Sequence, residues 1–524
     1  MTPTGTFVPI LLLISAFGIY IHAFFLSLSL GLPWIILGLM YNWWRSKDED
    51  YYNAARTATS VLGLNFALGA ITGTLVEFGL VQAWPGSIFV IATFGFVPLT
   101  LELIAFVGEV LLLIMFIVTL RKTRPPASIA IMALYAVMAI FSGAVITTVN
   151  SWLNVPWGTA NLAKNFYPFL PQYGPSVVNM QALVKLKVQL AQSLLTSGSS
   201  SQLLQNSTLV GNVGTTLTDP FVAFFSPYAW ASMMHAVNAG IIVGMSFPLA
   251  AYAYKFFRTG KVRYIKIMRA FLPILLVLLV LQPTVFGDYM GKAVASSQPT
   301  KFALMEGAEN TTQNPLVAFL AYGNPQQSIP GLNDFKKACE ANKNKTLGGF
   351  ASTVVPGINT GPASSVNLQD LCLSDISKAE TLMASVNTGY YAKITLGVIA
   401  LISMIALAAL SFNLGPLSTI AEYVFKPIGR RKVIPSLSFL ILISCVLAAS
   451  LGWFVREVGR TPWTVYGLLY PAELITPVPI NPIVLTLFVA TFATVAVVGT
   501  YGMYLVSTRP LRFIELLRKG AGVE

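Results

Sequence analysis

Apolar positions dominate nine stretches of the chain, at about 8–40, 59–82, 87–120, 127–148, 223–254, 270–287, 390–413, 434–455 and 481–507. Several exceed the roughly 20 residues that a helix needs to cross a bilayer core. No short apolar core with a cleavage pattern opens the chain, so the first stretch reads as a retained helix and not a signal peptide. The pattern predicts an all-α integral membrane protein with about nine transmembrane helices. No separate soluble domain, P-loop, dinucleotide-binding glycine motif or internal repeat interrupts it.

Charge sets the expected orientation. Of 33 Lys and Arg, 20 fall in the short segments 45–56, 121–126, 255–269, 414–433 and 508–524. Basic residues concentrate on the cytoplasmic side, so the N-terminus is expected outside, the C-terminus in the cytoplasm, and the chain in the cell membrane. The net charge of +13 is then accounted for without a nucleic-acid partner. Two long outer loops follow, at about 150–222 and 288–389. The chain divides into 1–287 with helices one to six, 288–389 as an extracytoplasmic loop, and 390–524 with helices seven to nine and a tail. Leu183, Leu186, Leu190 and Leu194 form an apolar stripe in the first loop, expected to lie on the outer membrane surface. Cys339 and Cys372 sit in the second loop, either as a disulfide or as two thiols, while Cys445 lies within a helix. Glycosylation sequons at Asn206, Asn310 and Asn344 also fall only in these loops.

Charge inside a membrane is costly, so each intramembrane ionisable residue is a candidate for function. They are His22, Glu77, Glu102, Glu109, His235 and, at a helix end, Glu457. His22 and His235 are the chain's two histidines, and imidazole is the usual ligand of a heme or metal ion. Around His235 stand Ala231, Ser232, Asn238 and Ala239, with Gly240 and Gly244 beyond. Such a face admits either a close helix neighbour or a flat porphyrin. Glu102 and Glu109 are two turns apart on one face, about 10 Å along the axis, which suits a proton relay or a charged cofactor.

The stretches GLNFALGAITGTLVEFGLVQAW (Gly63–Trp84), SWLNVPWG, HAVNAGIIVG, QPTKFALMEG and GWFVREVGRTPW (Gly452–Trp463) occur in this order. Together they resemble subunit I of the cytochrome bd quinol oxidases, over about residues 15–465. The resemblance implies that His22 and Glu457 are axial ligands of two high-spin hemes and that His235 binds a low-spin heme b. It implies one or two hemes b, with a heme d or a third heme b. It also places Lys301 and Glu306 at a quinol-binding site on the outer loop, and Glu102 and Glu109 beside the high-spin pair. Arg460 is then expected to pair with a heme propionate, and Trp463 to anchor the helix end at the membrane interface. Lys393 and Trp453 are further candidates for cofactor contact. The implied reaction reduces O2 to water with electrons from quinol. The implied partner is a second membrane subunit, either a subunit II or another subunit-I-like chain, with a small single-helix subunit as a further candidate.

Three positions depart from that family. Leu101 falls where the family's first third-helix acid stands, which displaces Glu102 by about 100° around the helix. No basic residue precedes His22 within residues 6–21. In YYAKITLG, Lys393 replaces an arginine and Thr395 replaces the methionine that completes the low-spin heme. These departures keep open a non-catalytic paralogue with fewer hemes. A proton-coupled transporter using the intramembrane acids is the third reading, although transporters usually show paired repeats.

Overall fold

The computed structural model describes residues 4–84, 94–120, 122–197, 219–427, 429–474 and 481–508. Within them nine helices are long and apolar enough to span a membrane. They are α1 (Thr4–Ser46), α2 (Glu49–Ala83), α3 (Phe96–Thr119), α4 (Pro125–Asn154), α5 (Pro227–Thr259), α6 (Leu272–Ser297), α7 (Met383–Phe412), α8 (Arg430–Val458) and α9 (Pro482–Thr508). With 43 residues, α1 is about 64 Å long, well beyond a hydrocarbon core of roughly 30 Å. The helix α6 is not regular throughout: Gln282–Gly287 forms a π-helical turn in its middle.

Lipid supplies no hydrophobic drive between helices, so close backbone approach at small residues holds them together. Gly31 of α1 faces Gly244 of α5, and a Cβ on Gly244 would stand 1.9 Å from the Ser27 carbonyl oxygen. Of the two uses open to the Gly240–Gly244 face, the structure therefore shows close helix packing. One core, with Phe25, Ile35, Met245, Phe271, Met404 and Ile441, fills the helix bundle. At one end the α1–α2 connection is tied to the α5–α6 connection by an ion pair between Lys266 and Asp48. There Arg269 donates to the Ser411 carbonyl, Arg430 to that of Leu410 and Arg431 to that of Phe257. These cations sit where helix C-termini leave carbonyls unpaired.

At the other end the two long connections build a cap with its own core, which includes Trp152, Tyr173, Leu304, Cys372, Trp463 and Tyr466. A two-stranded antiparallel ribbon pairs Thr159–Ala160 with Tyr173–Ser176. Short helices follow, among them Met180–Ser197, Pro299–Glu306, Pro315–Tyr322, Leu347–Val354 and Leu368–Glu380. Cys339 and Cys372 form a disulfide, which resolves the alternative left by the sequence. Asn342 joins the two connections by donating to the carbonyls of Asn165 and Phe166 at 3.1 and 2.9 Å.

Two expectations need correction here. The Leu183, Leu186 and Leu190 stripe does not lie on a membrane surface. It is buried in the cap core, where Met180–Ser197 packs against Leu347–Val354 and the turn Gly361–Ser365. The second connection thus supplies the apolar partner that a bilayer was expected to provide; the side chain of Leu194 lies outside the described residues. On the same helix Lys187 is buried against Glu473 at 2.7 Å, because a buried charge needs a paired counter-charge. Trp463 is likewise no interface anchor. It is 2% exposed, and its indole N–H donates to the Tyr167 hydroxyl at 2.9 Å, the partner that a buried Trp requires. Of the sequons, Asn310 and Asn344 are exposed in the cap, and Asn206 lies outside the described residues.

Candidate functional site

The last turn of α8 and the loop after it bring Arg456, Glu457 and Arg460 together beside the cap. Glu457 accepts a hydrogen bond from Asn150 of α4 at 3.0 Å and one from Arg460 at 2.5 Å. Arg456 is buried, bonds Ser151 through Nη2 at 3.2 Å, and lies 5.2 Å over the Trp453 ring. Two guanidinium nitrogens here, Arg456 Nε and Arg460 Nη1, are buried without a hydrogen-bond partner. Arg460, expected to pair with a propionate, also serves Glu457. One arm of the guanidinium is committed to Glu457, an arrangement that suits its fork of donors, while Nη1 keeps an open donor.

Lys301 belongs to this corner and not to an exposed loop. It is 2% exposed and donates to Arg456 O at 2.8 Å, Asn154 Oδ1 at 3.1 Å and Gln298 Oε1 at 3.3 Å. Burial, and then the charges of Arg456 and Arg460, hold its amine well below the ordinary lysine range. The reason for glycine in VGRTPW is visible here: a Cβ on Gly459 would lie 2.9 Å from Lys301 Cγ and 2.5 Å from Val455 O. Lys301 and Glu306, both expected at a quinol-binding site, do not pair with each other. Five residues on, Glu306 is half-buried and accepts from the Tyr391 hydroxyl at 2.8 Å.

His22 is half-buried between α1 and α2. Its Nδ1 lies 3.1 Å from Thr72 Oγ1, a hydroxyl that also has the Leu68 and Gly69 carbonyls within reach. When that hydroxyl donates to a carbonyl, Thr72 accepts from Nδ1–H and Nε2 keeps its lone pair. Gly73 makes the room, since a Cβ there would stand 3.0 Å from the imidazole. A ligating histidine ordinarily has its other ring nitrogen held by such a neighbour.

His235 of α5 faces the π-helical turn of α6. The Gln282 amide nitrogen lies 3.2 Å from Nδ1 and 3.4 Å from Nε2. Asn238 fixes that amide by donating to its oxygen at 2.6 Å, so the N–H edge is turned toward the ring. Lys393 is within electrostatic reach of His235; its ammonium sits 5.4 Å from the Tyr390 ring centre, and a Cβ on Gly452 of α8 would lie 3.4 Å from its Cδ. Thr395 is exposed and returns its hydroxyl to the Tyr391 carbonyl at 3.0 Å, which removes it as a partner for His235. Met404 is fully buried in the bundle core.

On α3, Glu109 is buried and faces the Ser142 and Tyr135 hydroxyls of α4. Glu102 stands within electrostatic reach of both Glu77 and Glu109. The three acids thus form a file from α2 along α3, in which Glu77 was not singled out beyond its membrane position. Sequence reasoning also missed Asn150, Thr72, Gln282 and Tyr391. Their only advance signal was a polar side chain in or beside an apolar run.

Among the described residues, no three His, Cys, Asp or Glu side chains gather as they would around a bare metal ion. A heme iron asks less of the protein, because porphyrin supplies four ligands and the chain only the axial ones. His22 Nε2 and the Glu457 carboxylate fit that need, the His235 ring fits it with the Gln282 amide turned aside, and the open donors of Arg456 and Arg460 fit an anionic rim such as propionate.

Comparison with known proteins places the chain in a family. The family model described as cytochrome bd terminal oxidase subunit I matches residues 13–510. A Bacillus subtilis (strain 168) protein, named provisionally as a cytochrome bd menaquinol oxidase subunit I, is 21% identical over 472 residues, 87% of this chain and 86% of that protein. The cytochrome bd ubiquinol oxidase subunit 1 of the same organism is 23% identical over 465 residues, 87% of this chain and 83% of its own. The solved bd oxidase of Geobacillus thermodenitrificans superposes with a TM-score of 0.68 at 17% identity, covering 96% of this chain and 98% of that one, and so shares its fold.

Proposed function

Because the chain belongs to the cytochrome bd terminal oxidase subunit I family, we propose that it is the heme-bearing subunit of a membrane quinol oxidase that oxidises quinol near its cap and reduces O2 to water. The observation that carries this reading is the setting of His22: inside a membrane helix, its Nδ1 lies 3.1 Å from Thr72 Oγ1 and Gly73 makes room for the ring. An imidazole held at Nδ1 by a neighbouring hydroxyl can offer Nε2 to a metal.

In this reading His22 and Glu457 hold two high-spin irons and His235 a heme b. Bound there, the hemes supply one-electron transfer and the O2-reducing centre. The chain's own residues do the rest. Arg456 and Arg460 offer their open donors to propionates and balance Glu457, while Lys301 braces the helix end that carries all three. Trp453 stacks under Arg456, and Lys393 borders the His235 site. The Glu77, Glu102 and Glu109 file gives protons a carboxylate path through α2 and α3, as intramembrane acids commonly do. Glu306 stands where the cap meets α7 and accepts a quinol proton. Near it Leu316, Phe319 and Leu320 of Pro315–Tyr322 are exposed, an apolar surface suited to a substrate drawn from the bilayer. A second membrane subunit completes the complex.

The non-catalytic reading retains one observation in its favour, the loss of a ligating side chain at Thr395. Quinol-dependent oxygen uptake by the purified complex tests the choice. Uptake that is lost in His22→Ala supports the oxidase; a heme-loaded complex that takes up no oxygen with quinol supports the paralogue.

A further inference from the structure

Glu306 is the last residue of its helix, and Gly307, at φ 66°, turns the chain away so that the carboxylate projects past the helix end. Two side chains one turn apart on α7 grip that end. Asn387 donates to the Met305 carbonyl at 2.7 Å and fixes the backbone. Tyr391 donates to the Glu306 carboxylate at 2.8 Å and fixes the side chain. The other ionisable groups facing Glu306 are the phenols of Tyr390, also on α7, and Tyr322 of Pro315–Tyr322. Among the described residues no Lys or Arg forms an ion pair with it, since Lys301, five residues earlier, is committed to Asn154, Gln298 and Arg456. The carboxylate therefore stands in a collar of tyrosines from two elements. Tyr391 remains 43% exposed, so the side of the collar it forms is open to a ligand. Tyr390 stacks edge-on against Tyr391 and lies under Lys393, the residue that borders the His235 site.

Resting on the quinol-oxidase reading above, we infer that Tyr391 is a positioning residue for quinol oxidation, its hydroxyl aiming the Glu306 carboxylate at the hydroquinone O–H. In the step served, one hydroquinone O–H bond breaks, its proton bonds to a Glu306 oxygen, and one electron leaves to a heme of the oxidase; the second O–H gives up its proton and electron by the same route once Glu306 has passed the first proton to water. A carboxylate within hydrogen-bond reach is the natural acceptor for such a proton. One hydrogen bond is kept throughout, and only a donor placed to the side of the accepting lone pair can do this. Burial raises the Glu306 carboxyl above the ordinary range, and the Tyr391 hydrogen bond to its charged form works against that rise.

The test is the pH dependence of quinol-dependent oxygen uptake by the whole complex, measured for wild type, Tyr391→Phe and Glu306→Gln. Glu306→Gln should abolish the acid limb of kcat/KM. Tyr391→Phe removes only the lowering contribution, so its acid limb should move to higher pH, with the rate recovering in base and the heme spectrum unchanged. A tyrosine replaced at 391 by 3-fluorotyrosine is a stronger donor of the same shape and should move the limb the other way, which tests the idea even if the Phe variant does not assemble. A limb that is lost in Glu306→Gln yet unmoved in both Tyr391 variants overturns the role of Tyr391 and leaves the quinol-oxidase reading standing. A limb that survives Glu306→Gln overturns Glu306 as the proton acceptor and the role of Tyr391 with it, whereas no quinol-dependent uptake in the wild type overturns the quinol-oxidase reading.

Discussion

The Lys301 ammonium donates to the Arg456 carbonyl across 2.8 Å, so a residue of the long second connection is sealed against the last turn of α8. The close passage depends on Gly459, where any side chain would meet Lys301 and the Val455 carbonyl. Gly459→Ala is expected to cost about 1–3 kcal/mol, the usual range for overpacking. A thermal melt of the purified complex checks it, and an unchanged midpoint would contradict the close passage.

Lys301 also makes stability depend on pH in a defined window. Its amine is held well below the ordinary value of 10.5, so between the two values the unfolded chain binds a proton that the folded chain has released. Stability then rises with pH through that window. Lys301→Met removes the group and should flatten this slope, which is read by melting wild type and variant across alkaline pH.

Much of the architecture was legible before the structure. The nine spans emerge because a bilayer demands long apolar runs, and that demand is local in sequence. The cap was not legible, because its partners lie far apart in the chain. Trp463 meets Tyr167, and Lys187 meets Glu473. Leu183 and its neighbours were assigned to a lipid surface because the helix against which they pack is more than 150 residues away. The candidate site divides in the same way. His22, His235, Glu457 and Arg460 stand out as charge or imidazole in apolar surroundings. Thr72, Asn150, Gln282 and Tyr391 carry no such mark, and only folding brings them to His22, Glu457, His235 and Glu306.

The disulfide closes a separation of 33 residues within the cap. Reducing it, or replacing both cysteines by serine, should lower stability by about 2–4 kcal/mol. Because the cap holds Lys301 and Glu306, quinol turnover should fall at temperatures where the heme spectrum is still intact. Equal loss of both signals would show that the cap is no separate source of stability.

At His235 the neighbouring amide is Gln282, Thr395 bonds its own helix, and Met404 is buried in the bundle core. A heme held there should lack a methionine ligand and have a lower potential than a His–Met heme. Near-infrared magnetic circular dichroism checks this, and a strong methionine–iron charge-transfer band would contradict it.

His22→Ala and Glu457→Ala should each remove a high-spin heme signal and leave the heme at His235. Thr72→Val, which deprives Nδ1–H of its acceptor, should weaken heme retention at His22 by about 10-fold or more. Pyridine hemochrome quantification of the three variants reads both effects.

This chain should carry hemes that quinol reduces and O2 reoxidises. The visible spectrum of the purified complex, recorded anaerobically after adding quinol and again after admitting O2, reads this. Heme bands should become reduced with quinol and return to the oxidised form with O2. A chain without heme bands, or hemes that dithionite reduces and quinol does not, would contradict it.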